Sequence, residues 1–148
     1  MTATSAGVSL SIGKRRALQS VSTHDQVFAI LAIDHIAALA GVARPDAPTS
    51  MTDEELSEMK LGIVELLSPG TSGVLLDPVL ALEPIVRGDA LPGDVGMLLA
   101  LEDGDYASLD NAPRLFQGWD VQRAAINGAT AVKCSFLYNP FSPSNKAH

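Results

Sequence analysis

The stretch Val27-Phe28-Ala29-Ile30-Leu31-Ala32-Ile33-Asp34-His35 decides the fold of this chain. Seven apolar residues without polar alternation predict a strand buried on both faces, as in a parallel sheet covered by helices. An acid and an imidazole follow where that strand leaves the core. Because ligands bind beyond the carboxyl ends of such strands, Asp34 and His35 are candidate site residues. The alternative is that Asp34 only caps the following turn.

The composition predicts one cytoplasmic globular domain. The chain has 148 residues, 47% of them hydrophobic, and a net charge of -7. This acidic balance, with no basic run longer than Lys14-Arg15-Arg16, argues against nucleic acid as the principal partner but allows a phosphorylated small molecule. A single cysteine, Cys134, excludes an internal disulfide and indicates a reducing compartment. We expect neither a signal peptide nor a membrane helix, since no apolar run has the roughly 20 residues that a membrane helix needs.

Apolar strands alternate with amphipathic helices along the sequence. Strands are predicted at 27–34, 73–77, 95–101 and 131–137, and helices at 14–22, 37–42, 52–67, 79–88 and 119–127. The third helix opens with a capping box, in which Thr52 is the N-cap and Glu55 lies three residues on. The alternation predicts right-handed crossovers and a parallel sheet. We expect a loose leader at 1–13, a domain at 14–138 with a long loop at 103–118, and a polar tail at 139–148.

Three of the four predicted strands end in an acid, at Asp34, Asp77 and Glu102. Neighbouring parallel strands would bring these acids to one rim, where one of them could move protons during a reaction. The alternative is that two of the three are caps or loop residues. We favour that interpretation for Asp77, because Pro78 follows it directly.

Lys133 lies inside the fourth apolar strand, between Val132 and Cys134. A buried ammonium either finds a partner or loses its charge. A buried lysine with a lowered pKa is what a Schiff-base amine requires. The alternative is a structural ion pair with Asp34 or Glu102.

The glycine motifs, the histidines, the cysteine and the tryptophan give weaker indications of function. No Gly-x-Gly-x-x-Gly follows the first strand and no GxxxxGK[ST] is present, so nucleotide-binding folds are disfavoured. The histidines at 24, 35 and 148 lack ligand spacing, and we expect no metal site. Cys134 is adjacent to Lys133, so we expect it on the opposite face of the strand, as a packing residue. Trp119 is expected in the core.

An ordered series of motifs resembles one known family. A basic leader with Leu18-Gln19 precedes the strand at 28–34. Three further stretches follow in order: Val74-Leu75-Leu76-Asp77-Pro78, then Leu98-Leu99-Ala100-Leu101-Glu102 with Tyr106 just after, and Ala129-Thr130-Ala131-Val132-Lys133. The series resembles the N-terminal half of the tagatose 1,6-bisphosphate aldolase family, which also includes the sulfofructosephosphate aldolases.

The resemblance implies a TIM (β/α)8 barrel that cleaves a phosphorylated ketose by class I, Schiff-base chemistry, with no cofactor. The family's acid after the first strand matches Asp34, and an active-site lysine on its fourth strand matches Lys133. These two are the catalytic candidates. His35, Glu102 and Asp77 are the substrate-binding candidates.

Two departures from the family pattern affect what this chain does. The family's Asp-Gln-Arg is Asp34-His35-Ile36 here, which bears on substrate choice. The family's imine-forming lysine, a catalytic glutamate and the phosphate-binding loops lie on later strands than these residues supply. A complete barrel takes about 250 residues, so this chain is expected to form a partial barrel of about four parallel strands.

We expect the open edges of such a partial barrel to cause self-association or to receive a C-terminal half. The rival interpretation is a non-catalytic half-barrel remnant, or a subunit-like binding module.

Overall fold

Four short parallel strands and five helices make up the chain in the computed structural model, which describes residues 9–103, 114–135 and 141. The helices are α1 (Ile12–Ser20), α2 (Ala37–Ala43), α3 (Asp53–Leu67), α4 (Leu82–Arg87) and α5 (Val121–Ile126), and the strands are β1 (Ile30–Ala32), β2 (Gly73–Leu76), β3 (Gly96–Ala100) and β4 (Ala131–Lys133). Short 3-10 turns occupy Pro48–Ser50 and Ser68–Gly70. Among the described residues, no helix is both long and apolar enough to cross a membrane.

The strands lie side by side in chain order, β1-β2-β3-β4, and every pair is parallel. This confirms the predicted fold class, an α/β half of a barrel. The strands are shorter than predicted because the apolar runs continue past the ladder at both ends. Residues 136 and 137 of the predicted fourth strand and most of the predicted tail fall outside the described residues. Helix α1 starts at Ile12, two residues before the predicted domain boundary.

One face of the sheet packs against the helices and holds the core. The largest of its completely buried apolar side chains are those of Val64, Val74, Leu76, Ile85 and Leu99. They come from α3, β2, α4 and β3, so each βα unit contributes to a single cluster. This arrangement leaves the opposite, concave face of the sheet to build the site.

The segment after α1 closes the amino-terminal end of the concave face. Gly73 and Gly96 pair where β2 and β3 begin. A Cβ at Gly96 would lie 2.6 Å from Cγ1 of Val21, and one at Gly73 would lie 2.9 Å from the side chains of Ile30 and Leu98. Both glycines are therefore needed for close packing rather than for an unusual backbone conformation.

The described residues of the predicted long loop at 103–118 pair with the end of the sheet. Leu115 forms an antiparallel bridge with Glu102, and the amide of Phe116 donates to the carbonyl of Leu101 at 2.9 Å. The chain thus returns along the end of β3 instead of leaving it, since the exposed backbone there finds partners. Tyr106, part of the family resemblance, lies outside the described residues.

Candidate functional site

Lys133 joins two buried carboxylates at the carboxyl end of the sheet. Its Nζ lies 2.6 Å from Oδ2 of Asp34 and 2.7 Å from Oε1 of Glu102. The Lys133 side chain keeps 28% of its surface exposed, whereas those of Asp34 and Glu102 keep 5% and 2%. One cation with two acids, open to solvent on the side of the lysine, forms a polar floor that a ligand can reach.

The strand register explains why these groups face the same way. Ala32, Leu75, Leu98 and Ala131 pair in one row across the sheet. Two residues further along, the same face carries Asp34 on the β1 side and Lys133 on β4. Side chains two apart in a strand share a face, so the alternation directs both toward the concave side.

Contact between Asp34 and Lys133 also requires a curved sheet. They belong to the first and fourth strands, which in a flat sheet lie about 14 Å apart at roughly 4.8 Å per strand. A lysine and an aspartate cannot span that gap and form a bond of 2.6 Å. The ion pair therefore crosses the hollow of a sheet that is bent as in a barrel wall.

The two carboxylates keep Lys133 charged. Burial disfavours its ammonium form, but the hydrogen bonds to Asp34 and Glu102 outweigh burial, so the pKa of Lys133 is raised above its ordinary value. Burial likewise opposes ionisation of Glu102. Together, the hydrogen bond from Lys133, the hydrogen bonds from backbone amides and the Lys133 charge outweigh burial, so the pKa of Glu102 is lowered. At neutral pH the cluster holds a protonated lysine.

One buried oxygen of the cluster has no hydrogen-bond donor among the described residues. Oδ1 of Asp34 is shielded from water and accepts no hydrogen bond from the described residues. Nδ1 of His35 lies 3.4 Å from it, and the His35 side chain is about half exposed. A buried acceptor without a donor is costly, so a hydroxyl from a bound molecule would be favoured there.

Asp77 is directed away from this cluster. Its Oδ2 accepts from Nζ of Lys60 at 2.5 Å, and its Oδ1 accepts the amides of Val79 and Leu80 at 3.0 and 2.6 Å. Asp77 and Lys60 are both fully buried. The geometry supports the cap considered for Asp77 from the sequence, rather than a contact with substrate.

Lys60 is the polar residue that the sequence reading missed. It lies on the buried face of α3 together with Leu56 and Val64. Those three residues are spaced four apart, so the helical period itself places Lys60 in the apolar stripe. This spacing is the feature of the sequence from which the burial of Lys60 could have been predicted.

Two further expectations had different outcomes. Cys134, expected to pack, is exposed, so that prediction was wrong. Strand β4 ends at Lys133, so Cys134 lies just beyond the ladder. Trp119 packs against the core as expected and carries the Arg123 guanidinium 4.8 Å above its ring. Within the described ranges, no group of three His, Cys, Asp or Glu side chains is arranged to hold a metal ion.

Comparison with known proteins agrees with this geometry. Residues 28–147 match the family described as "DeoC/LacD family aldolase". The chain is 30% identical over 134 residues to "Tagatose 1,6-diphosphate aldolase 2" of Enterococcus faecalis, covering 89% of this chain and 39% of that protein. It is also 30% identical over 128 residues to the protein of the same name from Streptococcus agalactiae and to "Tagatose 1,6-diphosphate aldolase" of Lactococcus lactis. Each of these two matches covers 85% of this chain and 38% of the relative.

The chain spans about two fifths of the length of these curated relatives, and the match lies in their N-terminal half. Such a segment would form part of a barrel, and the parallel four-stranded sheet agrees with this. With a family match over most of its residues, this chain belongs to the DeoC/LacD family of aldolases.

Proposed function

We propose that this chain is part of a class I aldolase, a carbon–carbon lyase that acts on a phosphorylated ketose through a Schiff base. The observation that carries the proposal is the ion-paired cluster of Lys133, Asp34 and Glu102 at the carboxyl rim of the sheet. Active sites of such barrels lie at that rim. The relatives' names support a sugar-phosphate substrate.

In this chemistry a neutral lysine amine adds to the ketose carbonyl and water leaves, giving an imine that takes up a proton to become an iminium ion. A base then removes the proton of the hydroxyl two carbons from the iminium carbon. The bond between that hydroxyl-bearing carbon and the carbon next to the iminium breaks, and its electron pair flows into the iminium, which leaves an aldehyde and an enamine that water later hydrolyses. We assign the imine-forming amine to a later strand of the barrel. Lys133 is unsuited to that step, because its two carboxylates keep it protonated.

Lys133 instead serves as a fixed positive charge beside the substrate. A preorganised cation can stabilise an oxygen that gains negative charge during cleavage. Asp34 accepts a substrate hydroxyl through Oδ1, which has no donor among the described residues, and Glu102 holds Lys133 charged and in place. The half-exposed His35 replaces the family's glutamine and is the residue of this cluster that would adjust the choice of sugar.

The rest of the barrel must come from elsewhere in the assembled enzyme. Either a C-terminal half or a second copy would pair with the edges of β1 and β4. The exposed Cys134 thiol fits a reducing compartment, and we place the protein in the cytoplasm. The second candidate is a binding module without turnover, which is favoured by the protonated state of Lys133.

A chimaera tests the proposal. This chain replaces the matching N-terminal segment of the Enterococcus faecalis relative, and cleavage of tagatose 1,6-bisphosphate is followed by a coupled assay. Borohydride trapping and intact mass then report the imine. We expect turnover and an adduct for the chimaera, but neither for the isolated chain. Lys133→Met in the chimaera should lower kcat/KM by on the order of 100-fold, since one charge-stabilising group is lost.

Cys134→Ser is the matched control, because it alters the exposed neighbour of Lys133 and should leave kcat/KM unchanged. A folded chimaera with neither turnover nor adduct would contradict the aldolase proposal and favour the binding module. A stoichiometric adduct on the isolated chain that disappears in Lys133→Met would show that Lys133 is itself the imine-forming amine.

A further inference from the structure

Lys60 ties together two strand ends behind the site. Its Nζ donates to the carbonyl of Ile33 at 2.8 Å and to Oδ2 of Asp77 at 2.5 Å. Ile33 follows β1 and Asp77 follows β2 in the chain. A single side chain from α3 therefore contacts both strands at the end of the sheet where the site lies.

Each end of this link is anchored. The amide of Ile33 donates to the carbonyl of Leu75 at 2.9 Å, which places Ile33 against β2. The second oxygen of Asp77 accepts the amides of Val79 and Leu80. The ammonium of Lys60 thus lies between two groups that the backbone already orients, and it sets the distance between them.

Asp34 depends on that link for its placement. It is the residue after Ile33, and among the described residues its carboxylate accepts one hydrogen bond, from Lys133. With so few side-chain contacts, the direction of the Asp34 carboxylate is set by the backbone that carries it. The Ile33 carbonyl held by Lys60 belongs to the peptide bond that leads into Asp34.

Stability alone does not explain a buried ion pair at this position. Removing two charges from water is expensive, and apolar residues of similar volume are often as stabilising or better. Methionine at position 60 would fill the same apolar stripe beside Leu56 and Val64. It could not donate to two acceptors on two different strands, and that is what lysine adds.

We propose that Lys60 is a positioning residue that fixes the ends of β1 and β2 and thereby holds Asp34 against Lys133. Its link to catalysis rests on the function proposed above. The placement of Asp34 is a property of the folded chain and can be measured without substrate.

The test compares the reactivity of Lys133 in designed variants of the full chain. Lys60→Met alone would leave the Asp77 charge buried and unpaired, so the variant is Lys60→Met/Asp77→Asn. It removes both charges and keeps an oxygen for the amides of Val79 and Leu80. Trace acetylation with acetic anhydride, read by peptide mass mapping, gives the rate at Lys133 relative to the exposed Lys14 of the same molecule.

We expect Lys133 to acetylate at least three-fold faster in the double variant than in the wild type. Only the neutral amine reacts, and a lysine that loses a carboxylate partner is neutral more often. Asp34→Asn gives the upper limit of the Lys133 acetylation rate, because it removes one carboxylate partner of Lys133 directly. Val64→Ala is the control: it lies one turn from Lys60 on the same buried face and destabilises the core, but it keeps both Lys60 hydrogen bonds, to Ile33 and to Asp77.

An increase in the double variant that Val64→Ala does not reproduce supports the positioning role. An unchanged rate at Lys133 in a folded double variant overturns it, as does an equal increase in Val64→Ala. Because no substrate is present, this outcome is independent of whether the chimaera has aldolase activity.

Discussion

At the scale of single residues, Lys133 gains its properties from its two partners. Water still reaches its side chain, yet the carboxylates of Asp34 and Glu102 are almost completely buried beside it. The attraction outweighs the burial of the ammonium, so the pKa of Lys133 is raised and its charge is permanent at neutral pH. A permanent cation suits charge stabilisation and opposes nucleophilic attack.

The pKa shift of Glu102 predicts an acid-dependent loss of stability. A carboxyl whose pKa is lowered on folding stabilises the protein above its unfolded value, here 4.5, and loses that contribution as pH falls through the folded value. The contribution of Lys133, whose pKa is raised, is fully present below pH 10.5 and does not vary in this acid range. Glu102→Gln should therefore lower the free energy of unfolding by about 1–3 kcal/mol at pH 7, with the difference shrinking below pH 4.5.

Urea unfolding between pH 3 and pH 7 measures this difference. Glu83→Gln is the control for loss of one acidic charge, since Glu83 is exposed and pairs with Arg87 one helical turn away. Parallel stability curves for the wild type and Glu102→Gln over the whole range would contradict the assignment.

At the scale of elements, α3 contributes both to the start of its own helix and to the site. Its first turn contains three acids, Asp53, Glu54 and Glu55, which suit the positive end of the helix dipole. Glu55 also pairs with Arg44 at 2.5 Å, which ties the helix to the segment after α2. From this fixed start, the buried face of α3 carries Lys60 to the two strand ends.

Loss of the capping box should weaken α3 measurably. The hydroxyl of Thr52 accepts the amide of Glu55 at 3.2 Å, and the Glu55 carboxylate accepts the amide of Thr52 at 2.9 Å. Thr52→Ala should lower the free energy of unfolding by about 1 kcal/mol, because one helix amide loses its acceptor. Urea denaturation with Thr52→Ser as the control tests this, since serine keeps the hydroxyl. Equal losses for the two variants would mean that the methyl group, not the cap, is responsible.

At the scale of the whole molecule, the described strands form a curved wall whose concave face is partly exposed. Within the described residues, β1 and β4 each have one neighbouring strand. Ala32 on the concave face is exposed, as are Val27 and Phe28 just before β1. Unpaired edges beside apolar surface favour pairing with another chain.

A polypeptide of this sequence should therefore associate as its concentration rises. Sedimentation velocity at several concentrations should show larger species as the concentration rises. Ala32→Lys should lower the fraction of these species, because it places a charge on the exposed concave face. Ala125→Lys, on the exposed face of α5, is the matched control. A monomer at every concentration, with cooperative unfolding, would show that the edges do not drive association.

The sequence by itself determined the elements and their class. Unbroken apolar runs, the capping box at Thr52 and the acids at strand ends are local signals, and they predicted a parallel sheet with Asp34, Glu102 and Lys133 as candidates. The family resemblance implied that this sheet is part of a barrel. The tertiary structure alone decided how charges pair. Lys133 and Asp34 are 99 residues apart, and their contact depends on the curvature of four strands. Asp77 pairs with Lys60 and not with Lys133, because a buried carboxylate pairs with the cation that packing brings nearest. The distance between residues along the sequence does not reveal which cation that is.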